Sequence, residues 1–430
     1  MNFKRSIVNT SILSATLLAS VSAMASTAFS SLPGTRANAM GGAYIAIAND
    51  TSSMFYNPAG IALIDGAEVM VEFGDIIRQD TSTLGSFYAT HTGQPVIEEQ
   101  ELKFIGGVTN VEVFGADINI GLSYAPSLYT MPSQIFESFG NFDNAIESIK
   151  FETEVEQLGI GLGTNLGDLA IGVTIDYQNY VSRIVYSDVG RLSESGPCEA
   201  VDVCPNENDV LSEFSGIGYT AGFLYRNDFG EDDLSSFSFG AVYRNYDDAA
   251  ETRDLETADF NSLQLNFTSP VAPTSFGVGA AIEFPMGKAF QLLLSAQYEK
   301  QDFGLVVDDY IGTDGTNDVL ERESVWERSS VGTELSWLAD NGWQWFVRGG
   351  YYISEDADYA DTRQEYSDIS SVTGGVGVFI PGFGSLESTI EKRSIDNNGP
   401  ANAFDSFGET TGIGTYDVTL ISVSYSYAWF

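Results

Sequence analysis

The side chains that could do chemistry here are mostly acids: 60 Asp and Glu against 19 Lys and Arg, with a single histidine and two cysteines. The histidine, His91, would have to serve any Ser-His-Asp arrangement, and nothing around it resembles a nucleophile elbow. The chain is therefore read as a non-enzyme. Acids crowd residues 187–212 (Asp188, Glu194, Glu199, Asp202, Glu207, Asp209, against Arg191) and residues 304–321 (Asp308, Asp309, Asp314, Asp318, Glu321). Such clusters either form a solvated, self-repelling surface or bind divalent cations that bridge to lipopolysaccharide. None has EF-hand spacing, so the solvated reading is favoured, and no metal or cofactor is assigned. Cys198 and Cys204 share the short stretch GPCEAVDVCPNEND, and in an exported chain a disulfide between them is expected. The acidic balance argues against nucleic acid, because phosphate contacts need a basic surface.

Export follows from the first residues. Lys4 and Arg5 precede the apolar, small stretch SIVNTSILSATLLASVSA, and Ala23-Met24-Ala25 forms a cleavage site, so residues 1–25 read as a secretory signal peptide. Asn9, Thr10, Ser11 and Ser14 make this stretch too weak for an anchor. No later stretch has the ~18 apolar residues of a membrane helix. A barrel is not excluded, because its strands are apolar on one face only.

From residue 66 onward the dominant period is two. SGIGYTAGFLYR sets Ile217, Tyr219, Ala221, Phe223 and Tyr225 against Gly218, Thr220, Gly222, Leu224 and Arg226. TSFGVGAAIEF sets Phe276, Val278, Ala280, Ile282 and Phe284 against Ser275, Gly277, Gly279, Ala281 and Glu283. That is a sheet with one apolar face and one small or polar face. Strands are expected near 66–92, 101–114, 116–125, 151–164, 168–186, 213–227, 234–248, 271–284, 287–303, 322–338, 343–355, 367–380, 382–394 and 416–430. Their connections alternate between short (Phe114-Gly115, NLGD, NDFGEDD, PMGK, ADNGW, PGFG) and long. A sandwich has no reason to put every long loop at one end, whereas outer-membrane barrels do. The fold expected is all-β: a transmembrane antiparallel barrel of about 14 strands in the bacterial outer membrane. On the last strand Ile421, Val423, Tyr425, Tyr427 and Trp429 share the apolar face, and Phe430 falls out of phase.

One long connection, residues 126–150, is different. Ile135, Phe136, Phe139, Phe142, Ile146 and Ile149 recur near helical spacing, which predicts an amphipathic helix. Its apolar side either shelters against the barrel rim or forms a landing groove for a hydrophobic ligand.

The segment GTRANAMGGAYIAIANDTSSMFYNPAGIAL, residues 34–63, precedes the strands. Its Arg36, Met40-Gly41-Gly42-Ala43, Asp50 and Asn57-Pro58-Ala59-Gly60 resemble the N-terminal hatch of the FadL-type transporter superfamily. That superfamily takes up long-chain fatty acids and hydrocarbons and also includes PorV-type proteins. The resemblance covers about thirty residues by motif; over the rest it is architectural. It implies three parts: signal peptide 1–25, hatch 26–65 and barrel 66–430. It also implies passive uptake of long-chain fatty acids or other small hydrophobic compounds, gated by the hatch, with lipid and lipopolysaccharide around the barrel. The alternative is a PorV-like scaffold that binds partner proteins without transport. Gating would involve Arg36, Gly41, Gly42, Asp50, Asn57, Pro58 and Ala59.

The residues speak to the plug independently. Gly159, Gly161, Gly163, Ala170, Gly172, Gly218, Gly222, Gly240, Gly277 and Gly279 fall on the inward face, leaving room for another segment. The Asn57-Pro58 step ends any helix, and Asn57 is placed to bond to lumen groups. A carboxylate ligand would need a cation, and Arg226, Arg244 and Arg348 point inward on this phase. Their partners are either that ligand or internal acids such as Glu283, Glu299 and Asp50.

Overall fold

The computed structural model describes residues 33–82, 101–126, 134–135, 146–189, 207–229, 235–246, 250–254, 274–311, 317–358, 367–397 and 414–429. The expected signal peptide, Cys198, Cys204, Phe136, Phe139, Phe142 and residues 83–92 lie outside the described residues.

Fourteen strands form the ring. They are β1 Ala67–Ser82, β2 Glu101–Val113, β3 Ala116–Ala125, β4 Ile146–Asn165, β5 Leu169–Val189, β6 Glu207–Phe229 and β7 Ser235–Tyr246. The second half is β8 Thr274–Pro285, β9 Phe290–Ile311, β10 Asn317–Leu338, β11 Gln344–Asp358, β12 Ser367–Ile380, β13 Gly384–Asn397 and β14 Gly414–Trp429. Each pairs antiparallel with the next, and β14 closes on β1 with Ala67 opposite Trp429. Two short pieces lie off the ring: Gln134–Ile135 pairs with β4, and Ala250–Asp254 pairs with β6. Closure leaves the ring with no free edge.

Alternation along each strand separates the two faces as the period predicts. On β8, Phe276 and Ile282 are exposed while Ser275, Gly277, Gly279 and Ala281 are buried. On β6, Ile217, Tyr219, Phe223 and Tyr225 face out, and Gly218, Thr220, Gly222 and Leu224 face in. The outer face is thus the apolar one, with Leu122, Ile160, Val331, Val347, Val372, Val376 and Ile390 all exposed. In water that inversion would be strongly unfavourable; in hydrocarbon it is required. Among the described residues no helix is long and apolar enough to cross a membrane.

Aromatic residues gather beside the tight turns. Phe290 stacks on Trp337 at 6.1 Å, Trp343 lies 6.0 Å from Trp345, Phe383 5.5 Å from Tyr425 and Tyr427 5.9 Å from Trp429. Rings of this kind mark the interface between lipid tails and headgroups. The barrel is therefore seated in an outer membrane with its short turns at one interface. The tightest turn is Phe114-Gly115, with both residues at positive φ (52° and 82°), as a two-residue hairpin requires.

Two expectations are corrected. The predicted helix in 126–150 fails where it can be seen. Ile135 lies in a strand, and Ile146 and Ile149 belong to β4, opposite Val189 and Tyr186. Cross-strand pairing imposes period two there, and helical spacing of isoleucines is incidental to it. The acid-rich connections are also shorter than expected. Asp188, Glu207, Asp209, Asp308, Asp309, Asp318 and Glu321 lie on paired strands. Apolar alternation stops where lipid stops, but backbone pairing continues beyond it.

Placing a charge on the lipid face tests this assignment. Val376→Arg on β12, whose native side chain is 58% exposed, is expected to destabilise the barrel by about 2–4 kcal/mol. Reversible urea unfolding in lipid vesicles measures it, and an unchanged midpoint would place Val376 in water.

Candidate functional site

Residues 33–66 fill the middle of the ring. The segment is short helices joined by turns: α1 Thr35–Ala39, α2 Ser53–Tyr56 and a 3-10 helix Pro58–Leu63. Gly41 and Gly42, at φ 65° and 78°, end α1 in the left-handed region, and the Gly42 N–H donates to the Ala37 carbonyl at 2.9 Å. Asn57 is extended (φ −155°, ψ 102°), as the residue before a proline must be, and it separates α2 from the 3-10 helix. The plug is thoroughly buried: Met40, Tyr44, Ile45, Asn57, Ala59 and Ile61 are all inaccessible. Its Tyr44 packs edge-on against Tyr56 at 5.3 Å, and its Phe55 against Phe104 of β2 at 5.6 Å.

Wall glycines let the plug backbone come close. A Cβ on Gly172 would run into the Pro58 carbonyl, one on Gly222 into Asn57 Oδ1, and one on Gly350 into the Met40–Gly41 peptide. A Cβ on Gly240 would lie 2.6 Å from the Ile45 carbonyl oxygen, and one on Gly332 2.6 Å from that of Met40. The fit is reciprocal: a Cβ on Gly42 would stand 2.6 Å from the Arg328 guanidinium.

Polar groups then fix the register of plug against wall. Asn57 Nδ2 donates to the Ile45 carbonyl at 2.9 Å and to the Phe223 carbonyl of β6 at 3.0 Å, while Oδ1 accepts from Ala59 N–H at 3.2 Å. One side chain therefore caps the 3-10 helix, ties two parts of the plug and ties both to the barrel. Gln297 Oε1 accepts from the Tyr44 and Ile45 amides, each at 2.9 Å. Asn119 Nδ2 donates to the Ile61 and Ile64 carbonyls at 2.6 and 2.7 Å. Glu72 accepts from Gly34 N–H at 2.6 Å, and Glu68 from Thr51 N–H at 2.8 Å.

Charge concentrates near the tight-turn end. Arg36 grips Glu334 with Nε at 2.8 Å and Nη2 at 3.2 Å, and donates to Asn49 Oδ1 at 2.6 Å. Glu334 also accepts from Arg348 Nε at 2.6 Å, and Arg348 Nη2 reaches Glu387 at 2.9 Å. Burial alone would lower the Arg36 pKa, but Glu334 and its neighbours hold it well above the ordinary value, so it stays charged. Burial, with Asp50 beside it, pushes the Tyr44 phenol up, and its hydroxyl donates to Asp50 at 2.6 Å.

The arginines read from sequence as inward fall into two groups. Arg244 and Arg348 are buried. Arg244 pairs with Glu299 and donates to the Phe55 and Tyr56 carbonyls of α2 at 2.6 and 2.9 Å. Arg226 is half-exposed, bonded to Asp228 at 3.1 Å and 3.6 Å from Glu283. Both internal acids considered as partners, Glu283 and Glu299, are used. Asp50 instead holds Tyr44 and the Ser52 hydroxyl and amide. Sequence reasoning missed Glu334, Glu387, Gln297, Asn119, Glu68, Glu72 and Arg328. Their one available signal was an inward phase in strands already assigned.

Asn57→Ala removes three hydrogen bonds in one step. Local opening of the plug is expected to become at least about tenfold more frequent, in keeping with about 1–3 kcal/mol for stranded buried partners. Thiol labelling of an Ala46→Cys reporter, read on the hatch peptide, measures it, and unchanged labelling would show that these bonds do not hold the plug.

No family model matches this chain, and no curated protein does. Solved structures do. The Pseudomonas putida toluene transporter TodX superposes with a TM-score of 0.54 at 12% identity, over 93% of this chain and 99% of that one. The CymD monoaromatic hydrocarbon channel gives 0.53 at 12% identity, over 92% and 97%. A TodX deltaS2 mutant channel gives 0.52 at 13% identity, over 94% and 100%. At this identity the likeness concerns fold: the chain has the barrel architecture of these channels.

Proposed function

We propose that this protein is a passive outer-membrane channel for small hydrophobic compounds, long-chain fatty acids among them, with residues 33–65 as a gate. The observation that carries the reading is how the plug is held. It meets the wall through glycine contacts and discrete polar bonds, and among the described residues its covalent connection to the wall is the chain itself where it enters β1. A body fixed in that way can shift as a unit once a few bonds exchange. The fold shared with a toluene transporter and a monoaromatic hydrocarbon channel supports the same reading. Arg36, Gly41, Gly42, Asp50, Asn57, Pro58 and Ala59 would act by setting the rest position of the plug. The PorV-like alternative needs no mobile plug, because a scaffold works through its outer surface.

Uptake of labelled oleate and of labelled toluene by a transporter-deficient strain tests the function. Expression of the native chain is expected to raise uptake of at least one several-fold. Locking the plug, through a disulfide between cysteines introduced at Ala46 and Gly279, should abolish that gain until reductant is added. No gain for either compound, with a partner protein recovered on purification, would favour the scaffold.

A further inference from the structure

One inward row of the barrel is built around a buried carboxylate. Asp176 of β5 is 2% exposed, and among the described residues neither carboxylate oxygen has a hydrogen-bond partner. Its cross-strand neighbours on the two sides are both glycine, Gly159 of β4 and Gly218 of β6. Beyond Gly159 the row continues to Ser123 of β3, whose hydroxyl is also buried and unpartnered. A Cβ placed on Gly159 would lie 2.7 Å from Ser123 Oγ and 2.8 Å from Asp176 Oδ1, so both oxygens close over the glycine, which alone lets them approach each other.

The surroundings complete a small polar notch. The next inward pair along these strands is Gln157 and Gln178, with Gln178 Nε2 donating to Gln157 Oε1 at 3.3 Å. The Gln157 amide lies beside the carboxylate. Two residues nearer the tight turn, Thr174 bonds to the Met54 carbonyl of the plug, so the row lies directly beyond the plug. Arg244 acts on Asp176 electrostatically, but its guanidinium is engaged by Glu299, Ser275 and the α2 carbonyls. An isolated buried carboxylate is strongly unfavourable, and a partner that brings positive charge and N–H donors removes the penalty.

We propose that the Asp176 notch, with Ser123 and Gln157, binds the protonated amine of an amphipathic solute held against the plug. This rests on the uptake reading only in placing the solute inside the lumen. It names a substrate class that a carboxylate-headed fatty acid does not represent: a hydrophobic body with an ammonium head. Ser123, Gln157 and Asp176 each offer an oxygen acceptor, one from each of three strands.

Full-length barrel in detergent, native and Asp176→Asn, is titrated calorimetrically with benzylammonium, benzoate and toluene, which share one ring and differ in the head group. Calcium chloride alone is a further arm. Benzylammonium is expected to bind the native chain more tightly than toluene or benzoate. Asp176→Asn should weaken benzylammonium at least tenfold and leave toluene unchanged. Gly159→Ala, whose Cβ would press on Ser123 Oγ and Asp176 Oδ1 while keeping the carboxylate, should weaken benzylammonium as well, and it serves if the Asn variant does not fold. Equal affinity for benzylammonium and toluene, or no effect of either variant, overturns the proposal. Calcium heat lost in Asp176→Asn, with none from benzylammonium, overturns it in favour of an inorganic cation. Oleate and toluene uptake are measured separately, so loss of amine selectivity with uptake intact defeats this inference and leaves the channel reading standing.

Discussion

A ring of fourteen strands encloses more space than its inward side chains can fill. Everything else in this structure answers that constraint. Either water fills the lumen, as in an open pore, or another part of the chain does. Here the chain does, and the fit is achieved by removing side chains from the wall instead of adding them to the plug. Gly172, Gly240, Gly332 and Gly350 each face plug backbone, and Gly222 the Asn57 side chain, at a distance no Cβ would allow. Backbone meeting backbone creates a second demand, because plug carbonyls and amides lose water. Asn57, Asn119, Gln297, Glu72 and Arg244 meet it with side-chain hydrogen bonds.

This division of labour separates closeness from position. Glycine contact is permissive: it allows approach but favours no register. The polar bonds are directional and select one placement. The charge network through Arg36, Glu334, Arg348 and Glu387 has the same character. Arg36 alone belongs to the plug, so the network joins plug and wall through one plug residue. A buried pair of this kind adds little net stability over an apolar contact, but breaking it leaves charge stranded. It is suited to holding one state firmly without making that state the only possible one.

The lumen beyond the plug is not greasy at the depth described. Gln157, Asp176, Gln178, Glu299, Arg328, Ser330, Ser354, Glu391 and Arg393 are all buried there. Arg393 pairs with Glu391, Tyr352 bonds to both, and Arg328 lies 3.8 Å over the Tyr352 ring. A pure hydrocarbon would gain little from such a wall, whereas a solute with a polar end would. Asp176 departs from the other buried acids there: among the described residues its carboxylate oxygens have no hydrogen-bond partner, whereas Glu299 and Glu391 pair with arginines.

How much of this was legible in the chain depends on the range of the interaction. Period-two alternation, tight turns such as Phe114-Gly115 and the connection lengths are local, so the strand count and both faces of β6 and β8 could be read directly. Asn57-Pro58 marked a helix break for the same reason, since proline restricts its predecessor whatever surrounds it. The reading failed where local pattern and pairing compete. Ile146 and Ile149 have helical spacing, yet a strand across from them decided their conformation. The partners of Arg36 and Asn57, and the row Ser123–Gly159–Asp176–Gly218, belong to the tertiary structure. Those residues are far apart in sequence and become neighbours only when register is set and the ring closes. The sequence by itself determined that there is a barrel, which way each strand faces and that something small-residued precedes it. Only closure decided which glycine meets which carbonyl, because a contact across a lumen has no period along the chain.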